Sequence, residues 1–435
     1  MNKIPGNVPQ SEEPLNTDPL QDSRVGTFAS LHNRNFLWYW LGQIASFMGL
    51  QMGIVARGWL VWIMTGSELY IGIVSFAFGL PILLFSLFGG AIADKLPKRN
   101  LLIGAQLFQA VIALAIAFLV ASDEIEFWHL VMAAFGNGLI FVFNGPARQA
   151  IIPDLIKKDM MLNAISLNSA GINFTRIAGP AIAGLLIAPF GIDGVYFTTV
   201  GFYLISMFTF IMISLPITQK KILKPESFGD SWSIARSLWV DLVAGLRYLR
   251  NNSTLIWLLV MALIPLFFGL PYMNLLPVFA DEVLGVGEVG FGLLMACQGI
   301  GALSASLGLA SLGNYKRKGI LLMIFSFAFG LALAIFTLSE TYVISLGLLL
   351  IVGAFNAGYT ALNNTLLQSN ADREMLGRVM SLHLLTFAAM PLGTLPIGAL
   401  AEIFGIAHVV FAGGILIMVF TTVMAMWRPV LRRLE

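Results

Sequence analysis

The chain carries one cysteine, Cys297, so it can form no internal disulfide and no multi-cysteine metal site. It has four histidines, His32, His129, His383 and His408, which are scattered rather than clustered. A membrane-embedded enzyme would need grouped His, Asp, Glu or Cys to bind metal or activate a nucleophile, so no enzymatic activity, cofactor or metal is expected. Charge is scarce at 11% Asp, Glu, Lys and Arg, while hydrophobic residues reach 58%. Soluble domains carry roughly a quarter charged residues. Formal net charge is only +2, so basic character gives no reason to expect a nucleic-acid partner.

What the chain does have is long apolar runs. A bilayer core about 30 Å thick needs roughly 20 apolar residues per helix, because buried backbone groups must bond within the segment. Runs that meet this length lie near 36–64, 69–93, 101–120, 128–147, 162–188 and 196–216, and again near 254–280, 289–312, 319–338, 342–368, 379–403 and 408–427. The reading is an all-α polytopic membrane protein with twelve transmembrane helices in two six-helix bundles.

Cations mark the orientation. Of 25 Lys and Arg, all but Arg57 and Arg176 fall in stretches that alternate with the apolar runs, and every second connection has none. Cytoplasmic loops retain Lys and Arg, so both ends of the chain are expected in the cytoplasm of a multi-pass plasma-membrane protein. The expected domains are a disordered tail over 1–33, an N-terminal bundle over 34–217, a linker over 218–252, a C-terminal bundle over 253–427 and a tail over 428–435. Within the linker Ile234, Leu238, Leu242, Leu246 and Leu249 recur at helical spacing among Arg236, Asp241, Arg247 and Arg250. Two placements fit: a helix lying on the inner membrane surface, or a cytoplasmic helix packed on the loops.

The halves repeat. A shift of 214 positions aligns Met161-Leu162 with Met375-Leu376, Gly179 with Gly393, Gly184 with Gly398 and Phe190-Gly191-Ile192 with Phe404-Gly405-Ile406. Two equivalent bundles that rock about a central site can expose it to each side in turn.

Between the second and third runs stands Gly90-Ala-Ile-Ala-Asp94-Lys95-Leu-Pro97-Lys98-Arg99. An acid at a helix end can bond the free amides of a neighbouring helix N-terminus. The segment resembles the inner-loop signature of the major facilitator superfamily: a glycine, an aspartate four positions on, a base, then a glycine and two bases. Pro97 stands where that glycine is usual. The resemblance implies that Gly90, Asp94, Lys95, Lys98 and Arg99 belong to a conformational latch closing the cytoplasmic side, with Asp94 facing the region of Arg378. The second-half counterpart keeps Lys316, Arg317 and Lys318 but has Leu312 or Gly313 where the acid would stand, so the latch is expected on one side only.

The fifth run carries Arg176-Ile-Ala-Gly179-Pro180-Ala-Ile-Ala-Gly184, similar to the end of the superfamily's antiporter signature, with Thr175 and Ala183 where glycines are expected. Its Gly179, Pro180 and Gly184 suit close helix packing with a bend. Further likeness to the subfamily of enterobactin exporters and related efflux proteins rests on Trp59-Leu60-Val61, Thr65-Gly66-Ser67, Pro146-Ala147-Arg148-Gln149-Ala150 with Pro153, and Asn163 to Ser169. It implies a monomeric secondary transporter that exports a small amphipathic or anionic compound. Import of a metabolite by symport, and a receptor that has lost transport, remain open.

Intramembrane ionisable residues are functional candidates. Arg57 lies about 31 Å along the first helix from Phe36 and is expected to snorkel to the outer interface. Arg176, about 21 Å into the fifth, is expected to face the cavity. Gln43, Asn137, Asn168, Asn274, Asn356 and His383 are further cavity candidates. No Asp or Glu falls well inside a run, and 129–144 contains no cation. A coupling proton is therefore implied by relatives rather than by these residues, with His383 and Glu402 as candidate titrating groups.

Overall fold

The computed structural model describes residues 28–157, 160–214, 247–250, 252–311, 315–372 and 390–432, with a few positions between 375 and 386 and Leu434; at 86–95 it describes the backbone path alone. Among these residues every regular element is a helix. In chain order they are α1 (Arg34–Thr65), α2 (Glu68–Lys95), α3 (Lys98–Ala121), α4 (Phe127–Leu155), α5 (Met161–Ile211), α6 (Ser253–Phe268), α7 (Tyr272–Val278), α8 (Gly287–Ser311), α9 (Lys318–Thr337), α10 (Tyr342–Asn370), α11 (Met390–Phe404), α12 (Ile406–Trp427) and α13 (Pro429–Arg432). A π-helical turn, Phe279–Val283, extends α7.

Ten helical stretches are long and apolar enough to cross a membrane. One of them, α5, has 51 residues, or about 77 Å, more than twice a bilayer core. It breaks at Gly191 (φ 73°), making two crossings. With α5 counted as two, the short apolar helix α11 brings the apolar helical segments among the described residues to twelve. Caps fix the ends: the Asn33 side chain accepts from the Asn35 and Phe36 amides, and Gly66 closes α1 in the left-handed region.

Gly191 and Gly405, aligned by the 214-residue repeat, are both left-handed, at φ 73° and 80°. A Cβ is strained there, so the same turn chemistry recurs in the same place of each half. The other repeated glycines also share a job. A Cβ on Gly184 would lie 2.9 Å from Gly292 Cα on α8 of the other half, and one on Gly398 would lie 2.7 Å from Glu68 O on α2 of the other half. Helix pairs in a bilayer gain little from apolar burial, so backbone-to-backbone approach at small residues carries these crossings.

Pro97, in place of the usual glycine, has φ −59° and sits at the head of α3, where Asn100 N bonds its carbonyl. That conformation needs no glycine, so the substitution leaves the turn intact. The expected linker helix falls outside the described residues apart from 247–250, which are helical.

The core shows how the halves meet. At the cation-poor end, buried side chains from both halves form one cluster, including Trp59, Trp62, Ile71, Phe279, Phe291 and Ala401. At the cation-bearing end they separate into two. Phe36, Leu102 and Ile151 belong to one cluster, and Leu255, Leu322 and Leu366 to the other. Among the described residues the bundles are thus packed together at one end and parted at the other.

Candidate functional site: the space between the bundles

Helix geometry locates the parting. On α5, Pro180 and Gly184 touch Gly292, and the backbone of Arg176 and Ile177 touches Gly299, both on α8. Eighteen residues make five full turns, so Leu162 and Ser166 lie directly below Pro180 and Gly184 on the same face. Both are exposed, Leu162 to 78%. The two helices therefore diverge beyond Arg176 toward the cation-bearing end.

Arg176 stands at that fork. At about 100° per residue it lies roughly 40° around the helix from Pro180, which faces α8, and 60° from Gly179, whose Cβ position lies 2.6 Å from Gln51 on α1. Phe174 and Leu185, more than half exposed, lie on the opposite side. The Arg176 side chain is exposed within the angle between α1 and α8, with no hydrogen-bond or ion-pair partner among the described residues. Pro180, which has no N–H, leaves the Arg176 carbonyl without its helical donor.

Arg57 differs from its expected place. Axial depth alone put it at the interface, but its azimuth turns it inward. It lies over the Phe78 ring at 5.7 Å and lines two small hollows. One is shared between the halves, with Ser75, Asn274 and Phe291. The other lies within the first half, with Gln109, Asn137, Tyr196 and Tyr203. Neither contains a carboxylate among its lining residues. Each measures about 30 Å³, enough for one or two waters and too small for a drug-sized ligand. At this depth the bundles are closed.

A third intramembrane arginine was not expected. The cation pattern places Arg148 with the loops, but α4 continues to Leu155 and buries it. Nε donates to Asn144 Oδ1 at 3.0 Å, Nη2 to Ser46 Oγ at 2.6 Å and Nη1 to Gln43 Oε1. The guanidinium also lies 4.8 Å from the Phe47 ring, and Tyr39 Oη donates to the Arg148 carbonyl. Helix α4 therefore does carry a cation, four residues past the stretch that lacks one. The signal was present in Asn144 and Arg148, one turn apart, with Gln43 and Ser46 similarly spaced on α1; pairing the two sets required the tertiary contact.

The remaining candidates scatter. Gln43 is buried against Arg148 rather than open to the parting. Asn137 lines the first-half hollow, where its amide donates to Ala133 O at 2.9 Å, and Asn274 lines the shared one. Asn168 Oδ1 is buried without a partner among the described residues. Asn356 O accepts from Thr360 Oγ1, and His383 is buried with its carbonyl bonded by Thr386 Oγ1 at 2.6 Å. Of the latch residues, Lys98 pairs with Asp154 at 2.7 Å and Arg99 donates to Phe210 O at 3.2 Å, both within their own half. The side chains of Gly90, Asp94 and Lys95, together with Arg378, lie outside the described residues.

At the cation-poor end, contacts cross between halves: Trp62 Nε1 donates to Asp281 Oδ2 at 2.7 Å, and Ser67 Oγ to Glu402 Oε2 at 2.6 Å.

Known proteins agree with this architecture. The chain is 28% identical to the staphyloferrin A transporter of Staphylococcus aureus over 83% of its length and 88% of that protein. It is 28% identical to the multidrug efflux pump Tap of Mycolicibacterium fortuitum over 88% of its length and 92% of that protein. Among solved structures, the nucleoside transporter NupG matches with a TM-score of 0.72 at 13% identity, covering 91% of this chain and 99% of that one. A bacterial homologue of the iron transporter ferroportin in an inward-facing state matches at 0.65 and 16%, covering 91% and 98%. Residues 25–435 match the transmembrane secretion effector family, so the chain belongs to that family of major facilitator transporters and is a multi-pass membrane transporter, not an enzyme.

Proposed function

We propose that the protein exports a small anionic amphipathic compound by alternating access between its two bundles. The observation that carries this reading is the pair Arg57 and Arg176, both turned toward the interior with no carboxylate beside them among the described residues. A cation in a low-dielectric cavity without a protein counter-ion favours an anionic guest over a cationic one. The relative named as a multidrug efflux pump supports the direction, and it and the relative named as the staphyloferrin A transporter support a small-molecule cargo. With cations retained in the cytoplasm, the parted end faces inward, where an exported compound would enter, and both chain ends lie inside. The transporter acts as a monomer in the plasma membrane, and its driving ion is a proton.

The test is counterflow in proteoliposomes with anionic, neutral and cationic amphiphiles of matched size. Anions move fastest, and Arg176→Gln slows them about tenfold, a loss of roughly 1.4 kcal/mol, with a smaller effect on neutral compounds. Preferred movement of lipophilic cations would reject the anionic reading. Collapse of the pH gradient stops uphill movement if the proton drives it.

Asp94 is proposed as the latch of the opposite, outward-open state. Removing its charge from a helix N-terminus costs that state about 0.3–2 kcal/mol. Asp94→Asn therefore slows transport and raises accessibility of cysteines introduced on the cytoplasmic side to a membrane-impermeant thiol reagent. Unchanged rate and accessibility would remove Asp94 from the mechanism.

A further inference from the structure

Residues three or four positions apart share one face of a helix, so Tyr196, Thr199 and Tyr203 form a polar stripe on α5 beyond its break at Gly191. That stripe lines the hollow inside the first half together with Arg57 of α1, Gln109 of α3 and Asn137 of α4. Four helices of one bundle thus turn polar groups to one small space.

Three of these groups lack partners among the described residues. A threonine hydroxyl inside a helix ordinarily bonds a carbonyl one turn back, and Thr198 does so, donating to Gly194 O at 2.8 Å. Its neighbour Thr199 does not: the residue is 1% exposed, and its Oγ1 is buried without a hydrogen-bond partner. Gln109, 6% exposed, has an unpartnered Oε1, and its amide can turn over to present N–H instead. The Arg57 guanidinium has five N–H donors but no hydrogen bond or ion pair among the described residues; its contact is the Phe78 ring at 5.7 Å. Asn137 is already engaged, with its amide donating to Ala133 O.

A guanidinium, a hydroxyl and an amide can all donate, and the lining holds no carboxylate to receive them. A guanidinium within a membrane-spanning bundle is destabilised unless an opposite charge meets it. Water can accept from two of these donors but brings no charge. The hollow measures about 30 Å³, so a fitting guest is monatomic and little larger than water; a polyatomic oxyanion or a drug-sized cargo does not fit.

We propose that the hollow is a halide site: one chloride-sized ion accepts from Arg57, Thr199 and Gln109 and neutralises Arg57 within the first bundle. The site is separate from that of the cargo and shares with the anionic-cargo reading one premise, that an unpaired cation takes an anionic guest. Arg57 also borders the hollow between the halves. A halide on the first-half side holds its charge there and leaves Arg176 as the cation that faces the parting.

The test is thermal unfolding of the purified full chain, followed by tryptophan fluorescence, in mixtures of sodium chloride and sodium gluconate at constant ionic strength. A ligand of the folded state stabilises with the logarithm of its concentration, so the midpoint rises by about 2 °C per tenfold of chloride above half-saturation. Arg57→Gln abolishes this response. Thr199→Val keeps the charge, loses one bond to the ion and moves the response to roughly tenfold higher chloride; it decides the matter alone if Arg57→Gln does not fold. Thr198→Val, whose hydroxyl bonds within its own helix, and Arg176→Gln keep the parent response. Equal midpoints in chloride and gluconate would mean that the hollow takes water alone and would overturn the site. A response unchanged in Arg57→Gln or Thr199→Val would overturn it too, as would one lost in Arg176→Gln, which would put the ion in the parting. Counterflow of amphiphiles is a separate measurement, so the cargo reading stands or falls independently of these results.

Discussion

Replacing Arg148 with alanine lowers stability more than any change at the two other intramembrane arginines. The substitution removes hydrogen bonds to Gln43, Ser46 and Asn144 and leaves the Gln43 and Asn144 oxygens enclosed without their donor. Hydrogen bonds to a charged group contribute about 1.5–3 kcal/mol each in a protein interior. Interhelical bonds in a bilayer average nearer 0.6, because the separated helices find other partners. The loss is therefore about 2–5 kcal/mol. It falls on the contact between α1 and α4, where Tyr39 is also bonded to the Arg148 backbone.

Arg148→Lys rescues little. An ammonium on a flexible stem cannot match a planar fork that reaches three partners on two helices. The measurement is thermal unfolding of the purified protein by tryptophan fluorescence. The expected fall in the midpoint is of the order of 5 °C for alanine, with lysine close behind. An unchanged or raised midpoint with transport abolished would move Arg148 from the scaffold to the cargo pathway.

Gly292→Ala reduces transport about tenfold by opposing closure of the cation-poor end. The new Cβ would lie 2.7 Å from Pro180 O and 2.8 Å from Gly184 Cα, so it meets backbone and no side chain can rotate away. Overpacking of this kind costs about 1–3 kcal/mol, and 1.4 kcal/mol is tenfold in the balance between states. The control lies on the same helix. A Cβ on Gly308 meets nothing within 4 Å, so Gly308→Ala leaves transport intact and favours the helix slightly. Transport and cysteine accessibility at the cation-poor end are measured together. Equal behaviour of the two variants would show that the α5–α8 crossing does not limit the cycle.

Gly292 also shows where reading along the chain stops. Gly184 was legible as a packing residue from its spacing after Gly179 and Pro180, but its partner lies 108 positions away with no pattern tying the two. Gly191 and Gly405 were legible as a repeat, and their shared left-handed turn followed from glycine's missing Cβ. Arg57 and Arg148 went astray for one reason. Depth along a helix follows from counting residues, whereas azimuth and the true helix end depend on what packs beside it.

The sequence by itself determined twelve apolar runs with alternating loop charge, because the bilayer makes run length and loop charge local properties of the chain, and its Gly90 to Arg99 segment carried the resemblance to the major facilitator superfamily. The tertiary structure alone decided that, among the described residues, the bundles close at the cation-poor end and part at the other. It alone enclosed Arg148 and joined Ser67 to Glu402 across the halves. Those are contacts between residues 105 and more than 300 positions apart, and no local rule of hydrophobicity or charge encodes which distant helix faces will meet.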